Sequence, residues 1–213
     1  MPKTGMAGAP GRRSNAERRD ESERLLVEAT LNVVTAEGVG AATFDAVGKA
    51  AGYSRGLPAQ KFGSKQGMIE AVIAHLHRER EAVLEADHTS EMPGLDAILH
   101  YVDTFFEGLR EGPAGPSYFM LLASAVADPT PLRKVFAASH ERVGEWLEAQ
   151  IRRGQEQGNI RAEFDAPSTA HMIGSLMIGL CMQWLVDDRG RDLEPVRVTY
   201  LAALRQSLAT HPA

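Results

Sequence analysis

Several features that would indicate an enzyme or a disulfide-stabilised protein are missing from this sequence. Its one cysteine, Cys181, allows no disulfide within the chain, which is typical of proteins from the reducing cytoplasm. A Walker loop, a GxGxxG fingerprint and a CxxC pair are absent, and His140-Glu141 does not begin a zinc-binding HExxH motif because residue 144 is glycine. We therefore expect a cytoplasmic protein without catalytic residues, metal site or cofactor.

The sequence also lacks an apolar run of the length that a bilayer requires. Its longest run, residues 170–186, includes His171, Ser175 and Gln183 and is shorter than the roughly 20 residues of a membrane-spanning helix. Charged residues make up 24% of the chain and hydrophobic residues 44%, as in ordinary globular proteins. We expect no membrane partner and interpret the run as a buried helix.

Charge is unevenly distributed along the chain. The net charge of −5 disfavours binding of nucleic acid by the protein as a whole. Residues 1–65, however, contain ten Lys and Arg against seven Asp and Glu, whereas the remainder contains thirteen against twenty-one. This distribution suits a protein that meets phosphate groups with its N-terminal part only.

Residues 43–65 have the pattern of two short helices joined by a glycine turn. Thr43 and Ser54 are predicted N-caps, and Gly52 permits the positive φ that ends the first helix. The pattern is that of a helix-turn-helix, whose second helix enters the DNA major groove. A small α-hairpin without a DNA partner has the same spacing, but here the second helix and its sequel carry donors for phosphates and base edges. These donors are Arg55, Gln60, Lys61 and Lys65.

From about Arg24 to Ile69 the sequence resembles the TetR-type transcriptional regulators. The chain departs from the family pattern at Pro58-Ala59, where Leu-Tyr is usual, and at Lys61, where His is common. The tyrosine that often contacts phosphate is therefore absent. The resemblance implies a ligand-responsive repressor that is released from DNA by a small apolar effector. The matching features are Ala29, the turn at 36–38, Thr43, residues 50–54, Gly56, Phe62 and residues 63–65.

Helical periodicity predicts an all-α fold of about nine helices in three parts. Residues 1–15 form a flexible basic arm, 16–87 a DNA-binding head with its linking helix, and 88–213 a ligand-binding and dimerisation body. The arm either reaches the minor groove or is a solvated tail. Residues 111–116 are predicted to form a loop. Because of Pro58, the second helix of the motif should be short and begin near Leu57 or Pro58.

The inward faces predicted for the body helices combine apolar residues with a few polar groups. Small-molecule sites are usually built in this way, although aromatic and methionine stripes are also common in cores. Together with the resemblance, the pattern predicts an effector pocket. Its candidate residues are Tyr101, Phe105, Phe119, Met120, Phe136, His140, Met172 and Leu176.

The last two helices are predicted to form a dimer surface. Ser175 and Gly179 are small residues that permit close helix approach, and Trp184 and Tyr200 are candidate anchors. The resemblance implies a four-helix bundle made from two subunits. Alternatively, both helices are buried wholly within their own chain.

These predictions combine into a homodimer that reads a palindromic double-stranded operator with half-sites about 34 Å, or a multiple of that distance, apart. Arg55, Gln60 and Lys61 are expected to face the groove, and Thr43, Ser54 and Lys65 to contact phosphates. An alternative is an all-helical small-molecule-binding or interaction protein without DNA binding. Pro58-Ala59, which replaces the usual Leu-Tyr of the family, favours that alternative.

Overall fold

The chain folds into nine α-helices within the residues that the structure, a computed structural model, describes: 14–86, 89–110, 112–128, 130–186 and 192–210. A 3-10 turn at Val39–Ala41 joins α1 to α2. The predicted all-α fold is confirmed. The predicted arm lies almost wholly outside the described residues, as does the predicted boundary at 87 and 88. The helices are α1 Asn15–Glu37, α2 Phe44–Ala50, α3 Gly56–Phe62, α4 Lys65–Ala86, α5 Gly94–Arg110, α6 Ala114–Ala127, α7 Leu132–Glu156, α8 Ala166–Val186 and α9 Glu194–Leu208.

Side-chain caps fix the start of three helices in the N-terminal part. Ser14 and Glu17 form a reciprocal capping box at α1, in which each side chain accepts from the other residue's main-chain N–H. The Thr43 hydroxyl accepts from a first-turn N–H of α2 over 3.2 Å, and the Ser64 hydroxyl accepts from one of α4 over 2.9 Å. The predicted Thr43 cap is confirmed.

Helix α6 begins earlier than the sequence predicted. Residues 111–116 are not all loop, because α6 starts at Ala114 with Pro113 as its N-cap. Pro116 is tolerated there because it lies in the first turn, where a main-chain N–H has no intrahelical partner. The added turn brings Ala114 and Gly115 to the wall of a cavity in the body.

Helices α5 and α7 pack against each other in opposite directions at the centre of the body. At one end Gly94 lies so close to α7 that an added Cβ atom would be 2.3 Å from the Gln150 carbonyl oxygen. The Gly94 N–H donates to the Gln157 side chain over 2.9 Å, which satisfies one of the free donors at the start of α5. Further along, the ring centroids of Tyr101 and Trp146 are 5.0 Å apart.

Helix α8 packs on α7, and α9 packs on α5. With 21 residues, α8 is long and apolar enough to cross a bilayer, so the expectation that its apolar run was too short is wrong. Length and composition do not distinguish a membrane span from a core helix. Ile173, Met177 and Cys181 on one side of α8 are buried in the body. Only 28% of its apolar window is buried, however, so the expectation of a helix that is buried all round is wrong.

Candidate nucleic-acid interface and ligand cavity

The corner between α2 and α3 is built around a close glycine contact. Gly48 is buried, and a Cβ atom there would lie 3.1 Å from the main-chain oxygen of Ser54. Gly52 has a φ of 76°, as predicted for the end of the first helix, and the Tyr53 N–H donates to the Gly48 carbonyl over 2.8 Å. These contacts hold α3 across α2 in a helix-turn-helix arrangement.

Helix α3 has seven residues and starts at Gly56, with Arg55 as its N-cap. Its shortness is confirmed, and its start at Gly56 is one residue before the predicted start near Leu57 or Pro58. The predicted Ser54 cap is wrong, because its main-chain oxygen, not its hydroxyl, accepts from the Leu57 N–H over 3.1 Å.

Pro58 does not disrupt α3. It is the third residue of the helix, where an N–H would have no intrahelical acceptor, and its ring is buried in the head. The Pro58-Ala59 pair favoured the alternative without DNA binding, but Pro58 is compatible with an intact second helix.

Most of the side chains that were predicted to contact DNA are exposed on the head. The Lys65 ammonium donates to the Gly40 carbonyl over 2.8 Å, which links the start of α4 to the 3-10 turn. This bond leaves two ammonium protons for other acceptors. The roles of these residues as DNA contacts remain predictions. The exposed set is Thr43, Ser54, Arg55, Gln60 and Lys65.

Lys61, by contrast, is turned toward α1. Its ammonium donates to the main-chain oxygen of Arg19 over 2.9 Å and to the Glu23 carboxylate over 3.1 Å, and its side chain is 20% exposed. Helix α1 thus holds the last turn of α3, and a groove contact by Lys61 would require this ion pair to open. Sequence reasoning missed Glu23 because it considered only acidic residues close in the chain.

A cavity of about 740 Å³ lies among helices α4 to α8. Its wall is mainly apolar and aromatic, and its volume is typical of small-molecule sites. Polar side chains in the wall include Thr104, Ser139 and His171. Four of the predicted ligand-binding residues line it, and they are Tyr101, Phe105, Phe119 and His140.

The other four predicted residues lie outside the cavity wall, which corrects the predicted lining. Met172 and Leu176 are on another side of α8 and are 46% and 47% exposed. Phe136 is buried against Tyr118, with ring centroids 5.2 Å apart, and Met120 packs against the core. Helical spacing identified which residues lie on the same face of a helix. It did not show whether that face packs against the cavity, the core or the solvent.

The polar groups of the wall suit some ligand charges better than others. His140 Nε2 lies 3.2 Å from the Tyr118 hydroxyl, and burial lowers the pKa of His140, so the ring is neutral at pH 7. Among the described residues of the wall, the acidic ones are Glu79 and Glu107, both exposed. Lysine and arginine are absent from the described residues of the wall. Among these described residues, an anionic ligand would therefore meet no lysine or arginine.

Two helical glycines border the empty volume. Gly144 lies within α7 and Gly174 within α8, and a Cβ atom at either position would meet no heavy atom within 4 Å. Glycine inside a helix costs roughly 0.5–1 kcal/mol relative to alanine. No neighbouring atom requires a glycine at these two positions, so a methyl group at either would enter open space. Sequence reasoning missed them, since a local pattern does not distinguish such glycines from those required by close packing.

The outer side of α8 and α9 exposes large apolar side chains. Among the predicted interface residues, Ser175 is exposed, whereas Gly179 and Trp184 are half-buried. Tyr200 is engaged by its own chain: its hydroxyl donates to the Ile173 carbonyl over 3.2 Å, and burial raises its pKa to about 12. Their interface roles remain predictions. The exposed apolar residues of α8 and α9 are Met172, Leu176, Val186, Val196 and Val198.

In the part of the chain that the structure describes, no three or more His, Cys, Asp or Glu side chains are grouped so that they could hold a metal ion. Cys181 is buried in the body.

Two family models match the two parts of the chain. Residues 26–72 match the model described as bacterial regulatory proteins, tetR family. Residues 94–211, more than half of the chain, match the model described as BetI-type transcriptional repressor, C-terminal.

Curated relatives agree with both models. The HTH-type transcriptional regulator BetI of Pseudomonas aeruginosa (strain LESB58) is 31% identical over 192 residues, which cover 87% of this chain and 84% of that protein. BetI of Vibrio campbellii is 26% identical over 178 residues, which cover 81% of this chain and 85% of that protein.

Solved structures share the fold at lower identity. A TetR transcriptional regulator from Chloroflexus aurantiacus has a TM-score of 0.76 at 21% identity, with 91% of this chain and 99% of that chain covered. A transcriptional regulator from Saccharomonospora viridis, solved in complex with choline, has a TM-score of 0.76 at 18% identity, with 90% and 100% covered.

Proposed function

Because this chain belongs to the tetR family of bacterial regulatory proteins and has a BetI-type repressor body, we propose that it is a homodimeric repressor that leaves a palindromic operator when a small molecule enters its cavity. The family assignment makes it a DNA-binding transcriptional regulator, not an enzyme. The dimer, the operator symmetry and the release by an effector are the proposed parts.

The observation that carries the effector proposal is the pair of glycines at Gly144 and Gly174. A methyl group at either position would enter open space and would remove the helix penalty of glycine, so alanine would give a more stable body. A void of about 740 Å³ beside two unconstrained helical glycines favours a binding site over an imperfectly packed core.

The wall favours a neutral or cationic effector over an anionic one. The acidic groups among its described residues are Glu79 and Glu107, and His140 is neutral at pH 7. The rings of Phe105 and Phe119, with centroids 6.0 Å apart, offer an apolar surface that also attracts ammonium groups. The choline complex of the Saccharomonospora viridis regulator makes choline one compound to test. A molecule as small as choline would leave much of this cavity unfilled, so larger apolar amines and neutral molecules belong in the same series.

The apolar surface of α8 and α9 supports a dimer through these helices. Met172, Leu176 and Val198 are about half exposed in the isolated chain, and exposed apolar side chains mark interaction sites where they form a patch. Gly179 lies on the same helix as the first two, and a Cβ atom there would meet no heavy atom within 4 Å, which leaves room for a second backbone. A two-fold axis through this surface would relate two copies of α3, as a palindrome requires.

Helix α6 offers a route from the cavity to the head. Tyr118 lines the cavity, whereas the buried Ser117 hydroxyl donates to the Leu31 carbonyl of α1 over 2.9 Å and lies 2.7 Å from the Thr35 hydroxyl. An effector that displaces α6 would therefore act on α1 directly. Helix α4 provides a second route, because its residues 76–82 form part of the wall and its first turn belongs to the head.

The size of the response follows from the preference of the effector for the released state. Complete switching, from 99:1 to 1:99, requires a preference of about 5.5 kcal/mol. Couplings of roughly 1–3 kcal/mol are more usual and would give graded release.

Selection of binding sites from random DNA duplexes tests the proposal. We expect an enriched palindrome, one dimer per site, and release by at least one neutral or cationic compound in a gel-shift assay. Absence of an enriched palindrome would contradict the operator proposal. Release by anionic compounds alone would contradict the effector proposal while leaving DNA binding intact.

A further inference from the structure

We infer that DNA passes closest to the protein at Gly56, the first residue of α3. A glycine is then needed at this position for DNA binding and not for folding. The inference concerns the DNA-binding step and rests on the proposed operator binding. It assigns a specificity-determining position that was not among the predicted contacts.

The surroundings of Gly56 within the protein do not require glycine. The residue is exposed and has a helical backbone, and an added Cβ atom would meet only the Ser54 hydroxyl, at an ordinary distance of 3.7 Å. The other two glycines of the corner differ. At Gly48 a Cβ atom would lie 3.1 Å from main-chain oxygen, and Gly52 has a φ of 76°, which side chains disfavour.

The geometry of α3 places Gly56 on the face that remains free for DNA. Gln60 follows four residues later on the same side of the helix and is exposed, whereas Pro58 is buried and Lys61 is bonded to α1. The outward face of α3 therefore consists of a bare main-chain segment beside the amide of Gln60, with Arg55 just before it.

A main-chain segment without a side chain lets a helix lie deeper in the major groove. A helix reads base edges only when it lies deep enough for its side chains to form hydrogen bonds, and a Cβ atom at the point of closest approach would hold it away. Without that atom the main chain can approach within van der Waals distance, and the Gln60 and Arg55 side chains come within reach of the bases or phosphates.

The test compares Gly56→Ala with the wild type as full-length protein, on the operator obtained by selection from random duplexes. Replacing glycine by alanine at a compatible position raises the folding equilibrium constant about two- to five-fold, so the melting temperature should stay the same or rise. Operator affinity should fall at least about tenfold, which corresponds to about 1.4 kcal/mol. Gly56→Ser, with a larger side chain, should bind no better than the alanine variant.

Gly52→Ala serves as the matched control, because a side chain is strained at its φ of 76°, so the variant should lower the melting temperature and operator binding together. Loss of affinity in Gly56→Ala without loss of stability supports the inference. Unchanged affinity overturns it, and so does a lower melting temperature, since the fold would then require the glycine. If the wild type itself selects no duplex, the proposed operator binding fails, which is a different result.

Discussion

Glycines occur at both ends of the α5–α7 pair, but they meet opposite surroundings. At one end, where α5 begins, a Cβ atom on Gly94 would lie 2.3 Å from the Gln150 carbonyl oxygen and 2.5 Å from the Gly154 nitrogen. Toward the other end, Gly108 and Gly144 line the cavity, and a Cβ atom on either would meet nothing within 4 Å. We call the first the closed end of the pair and the second the open end.

The difference shows how one residue type performs two tasks in the same helix pair. At the closed end, glycine lets two backbones touch, and the amides of Gln157 and Asn159 bind the first N–H groups of α5. At the open end, glycine keeps side chains out of a space that no protein atom occupies. The closed end thus fixes the relative position of the helices, and the open end provides a volume that a ligand can fill.

The largest effect is expected at the closed end. Gly94→Ala would place a methyl group against main-chain atoms of α7, so one helix must move. Overpacking of this kind typically lowers the free energy of unfolding by about 1–3 kcal/mol. Urea or thermal denaturation monitored by circular dichroism measures the loss. Unchanged stability would show that the contact relaxes easily and that the closed end is not rigid.

The next largest effect is expected when the hydrogen bond that joins α6, beside the cavity, to α1 of the head is removed. Ser117→Ala removes the buried hydroxyl that donates to Leu31, while Thr35 still donates to that carbonyl over 2.9 Å. We expect a loss of about 1 kcal/mol in the free energy of unfolding. Effector-induced release from the operator should weaken by about 0.5–2 kcal/mol of coupling energy.

A double-mutant cycle provides the control for this link. Thr35→Val alone and together with Ser117→Ala should give non-additive changes, because the two hydroxyls lie 2.7 Å apart. If the coupling energy stays at its wild-type value while stability falls, α6 stabilises the head but carries no signal.

At the open end we expect a change of opposite sign to that of Gly94→Ala. Gly144→Ala and Gly174→Ala should each raise the free energy of unfolding by about 0.5–1 kcal/mol, because alanine favours the helix and its methyl group meets no neighbour. Both variants should need more effector to release the operator, since each reduces the cavity. Destabilisation in either would show that the space is needed by the fold.

The sequence was informative about helices and caps and much less so about what each helix face meets. The bounds of α9, Glu194–Leu208, and the Thr43 cap depend on local spacing, which a sequence displays directly. Whether Met172 faces a cavity or the solvent depends on the rotation of α8 against α7, which is decided by packing across the body. The pairing of Lys61 with Glu23 likewise joins residues 38 positions apart.

The smallest expected effect is a pH dependence confined to the open end. The closed end is held by amide groups, which do not titrate, whereas the open end contains the half-buried His140. Burial lowers the pKa of His140 from its ordinary value of 6.5, so near this pH the unfolded chain binds more protons than the folded one. The contribution of His140 to stability is therefore present above pH 6.5 and is lost as the pH falls toward the lowered pKa.

His140→Gln tests this difference, because glutamine retains a polar side chain but does not titrate. Denaturation midpoints measured between pH 8 and pH 5 should fall less steeply for the variant than for the wild type. The variant should also lose some stability at pH 8, where the hydrogen bond with Tyr118 is altered, so the comparison concerns the slope and not the absolute value. Equal slopes would mean that water reaches His140 freely, and the open end would then be a solvated cleft that offers an apolar effector little gain on binding.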